Sequence, residues 1–371
     1  MPGIRTIDQH ELVERVRENL ARVSHTPDWN AYMPAASPTR PAAYALVVGA
    51  GFSHGVVPLV RELMYETIGD YYIPDQDMSS MERPPSVLRS HSRDFWKQYN
   101  EAAAAGDAVE LNAKGLPQDP AQAYATLFTY RGAQALFGHQ GRVGEQFVNG
   151  FLRSVMDHGH QFGYGSTGRT DLNGAHLYLA ALLEAQQTGD GWSTQAFCRT
   201  ILTTNFDTLL QAALQHVRLL YTITDRPERG LAPTEFQEDE QAIHLVYTHG
   251  SILRHNPAST DSDIGALVAN AAVLRTHLES RAVIVIGYSG WEDGLMRALA
   301  DRDSRHPLYW CDVTPEPAGR IAEYLAARDA RAAYVYLEDG ADGLMRALYA
   351  ALVPDGPDPW ERLARMRQAL L

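Results

Sequence analysis

Ala43-Tyr-Ala-Leu-Val-Val-Gly-Ala-Gly-Phe-Ser53 is the stretch on which the fold turns. Its first six residues are apolar without alternation, the pattern of a parallel strand buried on both faces. The run then enters glycines and a predicted helix. Such a turn lets the backbone approach a pyrophosphate closely, with helix N–H groups pointing at the negative charge. The spacing departs from G-x-G-x-x-G, because Gly55 comes one residue late. A tight strand-to-helix turn with no ligand accounts for the same letters.

Upstream, Asp8 to Val23 has the spacing of an amphipathic helix, with Leu12, Val13, Val16, Leu20 and Val23 on one face. Asp8 and Glu11 stand at capping-box distance. A Pro-rich connector, Thr26 to Pro41, leads to the first strong strand. Downstream, residues 58–197 are rich in Ala, Leu, Gln and Glu at helical spacing, as in Ala121 to Phe137 and Gly174 to Gln187. They read as a large helical insertion with polar loops at Asp70 to Pro85 and His158 to Asn173.

After Arg199 strands and helices alternate. The candidate strands are Thr200–Thr203, Leu219–Ile223, His244–Thr248, Ala282–Ile286, Leu308–Asp312 and Ala333–Leu337. This order predicts a Rossmann-like, doubly wound parallel α/β sheet, interrupted by the insertion between its first and second strands. The expected organisation is an N-terminal helix and linker (1–42), the sheet domain (43–353, with the insertion at about 58–197) and a C-terminal connector and helix (354–371). The heptapeptide beginning at Asp293 returns at Asp342, and both copies fit an Asp-capped helix start. The tail helix, Trp360 to Leu370, is expected to pack on its own domain.

Four further strand ends carry polar groups. Leu202-Thr-Thr-Asn-Phe-Asp207 places Asn205 and Asp207 where open α/β sheets bind ligands, although either residue also suits a helix cap. Val246-Tyr-Thr-His-Gly250 puts His249 at the matching place on another strand, and an imidazole there can act as a base near neutral pH. Val283-Ile-Val-Ile-Gly-Tyr-Ser289 repeats the strand–glycine–hydroxyl pattern. Tyr309-Trp-Cys-Asp-Val-Thr-Pro315 ends a strand on Asp312, which suits a ribose diol and an Asx turn equally.

A formal net charge of −13, with no Lys/Arg run, opposes direct nucleic-acid binding led by phosphate contacts. The N-terminus has charges where a signal peptide needs an apolar core, and no apolar run is long enough to span a bilayer. The expected setting is cytoplasmic, with no membrane contact. Cys198 and Cys311 are the two cysteines, too few for a disulfide framework or a four-ligand zinc site, so no metal is expected.

In their order, Gly-Ala-Gly-Phe-Ser (49–53), Thr-Asn-Phe-Asp (204–207), His-Gly (249–250), Gly-Tyr-Ser (287–289) and Asp312 resemble the sirtuin superfamily. Within it, they look most like the sirtuin-like domains of bacterial antiphage defence proteins. The resemblance implies an NAD+ site in which Gly49, Ala50, Gly51 and Ser53 hold the pyrophosphate. Thr204, Gly287 and Ser289 would lie near the dinucleotide and Asp312 by the adenosine ribose. Asn205, Asp207 and His249 would surround the nicotinamide ribose as the catalytic set.

Deacylases of the superfamily carry a zinc module of two Cys-x-x-Cys pairs, which this chain cannot build. The resemblance therefore implies an NADase that cleaves the nicotinamide–ribose bond to give nicotinamide and ADP-ribose. An NAD-dependent protein deacylase and a non-catalytic NAD or ADP-ribose sensor are the alternatives. It also implies a homo-oligomeric effector that depletes NAD+ in abortive infection. The trigger would be a separate sensor or activator, such as a HerA-type hexameric ATPase or an Argonaute-like module.

Overall fold

The computed structural model describes residues 4–24, 42–57, 172–188, 196–225, 242–251, 271–278, 281–290, 293–301, 305–317, 319–328 and 331–369. The chain divides into two compact units. The first comprises Met1–Ser53, Leu172–Gly250 and Leu267–Leu371, and the second His54–Asp171 and Ser251–Ala266. Of the second unit only residues 54–57 and 251 are described. The sequence-read helix at 121–137 and the loops at 70–85 and 158–171 lie outside the described residues.

The first unit is built on eight parallel strands: β1 (Thr6–Asp8), β2 (Tyr44–Val48), β3 (Cys198–Thr203), β4 (Tyr221–Asp225), β5 (Ile243–Tyr247), β6 (Ala282–Ile286), β7 (Leu308–Asp312) and β8 (Ala332–Tyr336). Their order is β1-β8-β7-β6-β2-β3-β5-β4. β2, β5 and β6 are buried at every position, so their sequences show no polar face. The chain winds one way from β2 through β3 and the other way from β6 through β8. The switch point of this Rossmann-like sheet therefore lies between β2 and β6, where ligands of such sheets bind.

Alternate residues of β2 feed two cores. Tyr44, Leu46 and Val48 face the cluster that holds α1 (Gln9–Ser24), α2 (Gly174–Thr188), α3 (Leu209–His216) and α7 (Gly340–Leu352). Ala45 and Val47 face the one that holds α4 (Ala271–Leu278), α5 (Gly294–Asp301) and α6 (Gly319–Ala326). The last helix, α8 (Pro359–Ala369), contacts α2, where Arg362 pairs with Glu184 and donates to its Oε1 at 2.9 Å. Tyr349 holds the preceding connector by donating to the carbonyl of Pro357 at 2.9 Å. The tail packs on its own domain, as expected, although Trp360 is 44% exposed.

Three sequence expectations are corrected. The first strand is not Tyr44–Val48 but Thr6–Asp8, an edge strand paired with β8. Asp8 ends it and caps α1, accepting the Glu11 N–H at 2.7 Å, whereas the Glu11 carboxylate turns to Arg15 and not back to the cap. The glycine run after β2 enters a 3-10 turn, Ala50–Phe52, and no α-helix begins among the described residues through 57. The two heptapeptides also differ in role. Asp293 caps its own helix α5 through the Met296 N–H at 2.8 Å. Asp342 lies inside α7, and its carboxylate accepts the Gly174 and Ala175 N–H groups of α2 at 3.2 and 2.8 Å. An acidic group at those unpaired N–H groups also favours the α2 dipole.

Candidate active site

The loops after β2 and β6 touch at the switch point. Gly49 donates its N–H to Ile286 and Gly51 to Gly287, both at 3.0 Å. A Cβ on Gly49 would lie 2.4 Å from the Gly287 carbonyl oxygen and 2.6 Å from Tyr288 Cα. Gly287 has φ +66°, and a Cβ there would stand 2.7 Å from the Gly51 backbone. Glycine at 49, 51 and 287 is thus required by the approach of two backbones. The N–H groups of Phe52 and Ser53 close the 3-10 turn onto Gly49 and Ala50 at 2.9 and 3.1 Å.

Past β3, Asn205 bridges two strand ends. Its backbone N–H donates to Thr203 Oγ1 and its Nδ2 to Ser53 Oγ, both at 3.0 Å. Thr204 adds a backbone bond to Val48 at 3.1 Å. Asp207 caps α3, its Oδ1 accepting the Leu209 N–H at 3.0 Å. Tyr247, itself held by Gln211, donates to the Asp207 carbonyl at 3.1 Å. Asn205 and Asp207 are buried, and among the described residues Asn205 Oδ1 and Asp207 Oδ2 have no hydrogen-bond partner. Two bare, buried acceptors two residues apart in the chain are suited to hydroxyl donors or to a developing positive charge.

Burial pushes the Asp207 carboxyl above its ordinary 3.8, against the smaller pull of the Leu209 N–H. A carboxyl whose pKa is higher folded than unfolded binds its proton more tightly in the fold. Stability then falls as pH rises from 3.8 through the raised value, and the charge weighs on the fold at neutral pH. Asp207→Asn is therefore expected to raise the melting temperature at pH 7, with the advantage vanishing below pH 3.8. Thermal unfolding across a pH series checks this. An unchanged or lower melting temperature at pH 7 would contradict it.

His249 stands two residues past β5, as Asn205 stands two past β3, and the two strands are neighbours in register at Thr203 and Tyr247. Its Nε2 lies 2.8 Å from Asp293 Oδ2, and the Asp293 side chain is only 3% exposed. The other carboxylate oxygen accepts the Tyr288 hydroxyl and the Met296 N–H, each at 2.8 Å. With the carboxylate so occupied, Nε2 is the protonated ring nitrogen, and Nδ1 is left as the basic one in the neutral ring. Asp293 was legible only as a helix cap. Its carboxylate does both jobs, and a strand-end histidine followed by a buried acidic cap is the signal that could have found it.

The remaining sequence-predicted residues lie along the same edge. Ser289 is exposed beyond Gly287. Asp312 ends β7 half-buried, its Oδ1 accepting the N–H of the next residue, Val313, at 2.6 Å. Ser53, Asn205 and Asp207 are brought together, and His249 is paired separately with Asp293. The sequence also missed His176 and Asn173 at the start of α2. His176 Nε2 lies 3.5 Å from Ser53 Oγ. Cys198 and Cys311 are buried on different strands. Among the described residues, no group of three or more His, Cys, Asp or Glu side chains is placed to hold a metal ion. Nor does any described helix have the length and apolarity to cross a membrane.

A search of curated proteins finds no match to the chain. A family model does match, the SIR2-like domain, over residues 199–332. That stretch runs from the second residue of β3 to the first of β8 and includes Asn205, Asp207, His249, Gly287, Asp293 and Asp312. Residues 199–332 are therefore similar to a SIR2-like, or sirtuin-like, domain, a kind of domain that binds NAD+.

Proposed function

We propose that this chain is an NAD+ glycohydrolase that cleaves the nicotinamide–ribose bond to release nicotinamide and ADP-ribose. The observation that carries the reading is the pair of buried, partnerless acceptors, Asn205 Oδ1 and Asp207 Oδ2, just past the end of β3, whose neighbour β5 leads to His249. Cleavage of that bond builds positive charge on the ribose carbon while nicotinamide leaves as a neutral molecule, so no strong acid is needed. A fixed carbonyl oxygen and a carboxylate are suited to that charge. His249, through the Nδ1 that Asp293 leaves bare, is suited to take a proton from water or a ribose hydroxyl.

In the same reading Thr204, Gly287, Ser289 and the Gly49–Ser53 turn line the dinucleotide, and Asp312 faces the adenosine ribose. The order of motifs supports a further step: the chain acts as an NAD+-depleting antiphage effector that assembles with itself and is triggered by a separate protein, such as a HerA-type ATPase. The deciding experiment incubates the purified full chain and Asn205→Ala with NAD+ and separates the products. The parent is expected to form nicotinamide and ADP-ribose, and Asn205→Ala to lose about a hundredfold in turnover at an unchanged melting temperature. A parent that forms neither product and is not protected by NAD+ against heat, or a variant as active as the parent, overturns the reading.

A further inference from the structure

One buried chain of hydrogen bonds reaches the candidate site from outside the matched stretch. His176, in the first turn of α2, is fully buried, with its ring edge-on to Phe52 at 5.0 Å. The Asn173 side chain fixes its ring. Asn173 Nδ2 donates to the Phe52 carbonyl at 2.8 Å, so Asn173 Oδ1 is the end that faces His176. That oxygen accepts the His176 backbone N–H at 3.1 Å and lies 2.5 Å from His176 Nδ1. An acceptor at that distance requires the proton to sit on Nδ1. Burial lowers the imidazole pKa to about 3, so the ring is neutral and Nε2 is bare.

A bare Nε2 can only accept, and Ser53 Oγ lies 3.5 Å from it. The Ser53 hydroxyl has a single proton. Given to His176, that proton is unavailable to Asn205. Ser53 must then accept from Asn205, which it does from Nδ2 at 3.0 Å. A carboxamide has two ends of equal size, and its own shape does not choose between them. The choice is made here by donor and acceptor roles passed along the chain. Asn205 Oδ1 is the end left bare and buried.

We propose that His176, held by Asn173, is a positioning residue that acts through Ser53 to fix which end of the Asn205 carboxamide faces the reacting ribose. The inference rests on the glycohydrolase reading for its kinetic consequence, but its geometric content is independent of that reading. His176→Leu keeps an apolar group of similar bulk and removes the acceptor. In His176→Gln, Oε1 can occupy the place of Nε2 and accept from Ser53.

The test combines kinetics and spectroscopy on the full chain. With NAD+ as substrate, His176→Leu is expected to lose roughly tenfold in kcat with KM unchanged. His176→Gln should stay near the parent, and thermal unfolding confirms that both variants are folded. Equal kcat in His176→Leu and the parent, or equal losses in the Leu and Gln variants, would overturn the proposal. The second readout needs no turnover. Among the 14 histidines, the ¹⁵N imidazole signals that vanish in His176→Gln report which ring nitrogen bears the proton. A proton on Nδ1 across neutral pH is expected, and one on Nε2 overturns the relay. If NAD+ neither turns over on the parent nor protects it against heat but the Nδ1 proton is found, the proposed function fails and the relay stands.

Discussion

His249→Ala is expected to lower NAD+ turnover on the order of 10²–10⁴-fold, the range typical of removing a positioned general base. The variant should remain folded, because His249 is only partly buried. Asp293→Asn is the sharper probe. The new carboxamide can still accept the Tyr288 hydroxyl and the Met296 N–H on one oxygen, which keeps the cap of α5. Its other end is an NH2 group facing His249 Nε2 across 2.8 Å, and two donors cannot share that space. His249 must then carry its proton on Nδ1, and the nitrogen proposed as base is lost while the ring stays in place. A fall in kcat on the order of 10³-fold with little change in KM is expected. Combining the two changes should cost no more than His249→Ala alone, since both remove one function. Additive losses would show that Asp293 acts by another route. A fully active Asp293→Asn would show that Nδ1 is not the base.

How much of this was legible in the sequence follows from burial and from distance along the chain. Ala282–Ile286 and Leu308–Asp312 were read to the residue because central strands of a parallel sheet are apolar almost throughout. The edges were read poorly. β1 has three residues and buries only Ile7, and its last residue doubles as the cap of α1. β4 was expected over Leu219–Ile223 and forms over Tyr221–Asp225. It pairs with β5 alone, and Leu220 is 63% exposed, so hydrophobicity did not mark its start. Within the site, Asn205, Asp207 and His249 stood out because a polar residue directly after an apolar strand is visible locally. Asp293 and His176 did not, since the partners that give them meaning are 44 and 123 residues away. The repeated heptapeptide shows the same limit. Identical letters at 293 and 342 cap different helices because the fold, and not the local sequence, brings the Asp342 carboxylate to α2.

Gly49→Ala is expected to remove most of the folded protein, although it adds a single methyl group. The new Cβ would fall 2.4 Å from the Gly287 carbonyl oxygen and 2.6 Å from Tyr288 Cα. Both are backbone atoms of the segment after β6, so no flexible side chain can swing aside. Relief requires the two central loops to separate, which would break the bonds from Gly49 to Ile286 and from Gly51 to Gly287. Overpacking of this kind costs about 3 kcal/mol or more when backbone must shift. That is a large part of the roughly 5–15 kcal/mol that holds a native protein together. Gly55→Ala serves as the contrast. That glycine also has positive φ, +85°, but no described atom lies within 4 Å of the Cβ it would gain. Only the left-handed backbone then opposes the change, at about 1 kcal/mol. Chemical denaturation of the two variants separates the causes. If Gly49→Ala is as stable as Gly55→Ala and loses only NAD+ binding, then glycine 49 exists for the dinucleotide. If Gly49→Ala unfolds while Gly55→Ala stands, the first glycine of the motif exists to let two strand ends meet, and any ligand uses a surface that this contact has already built.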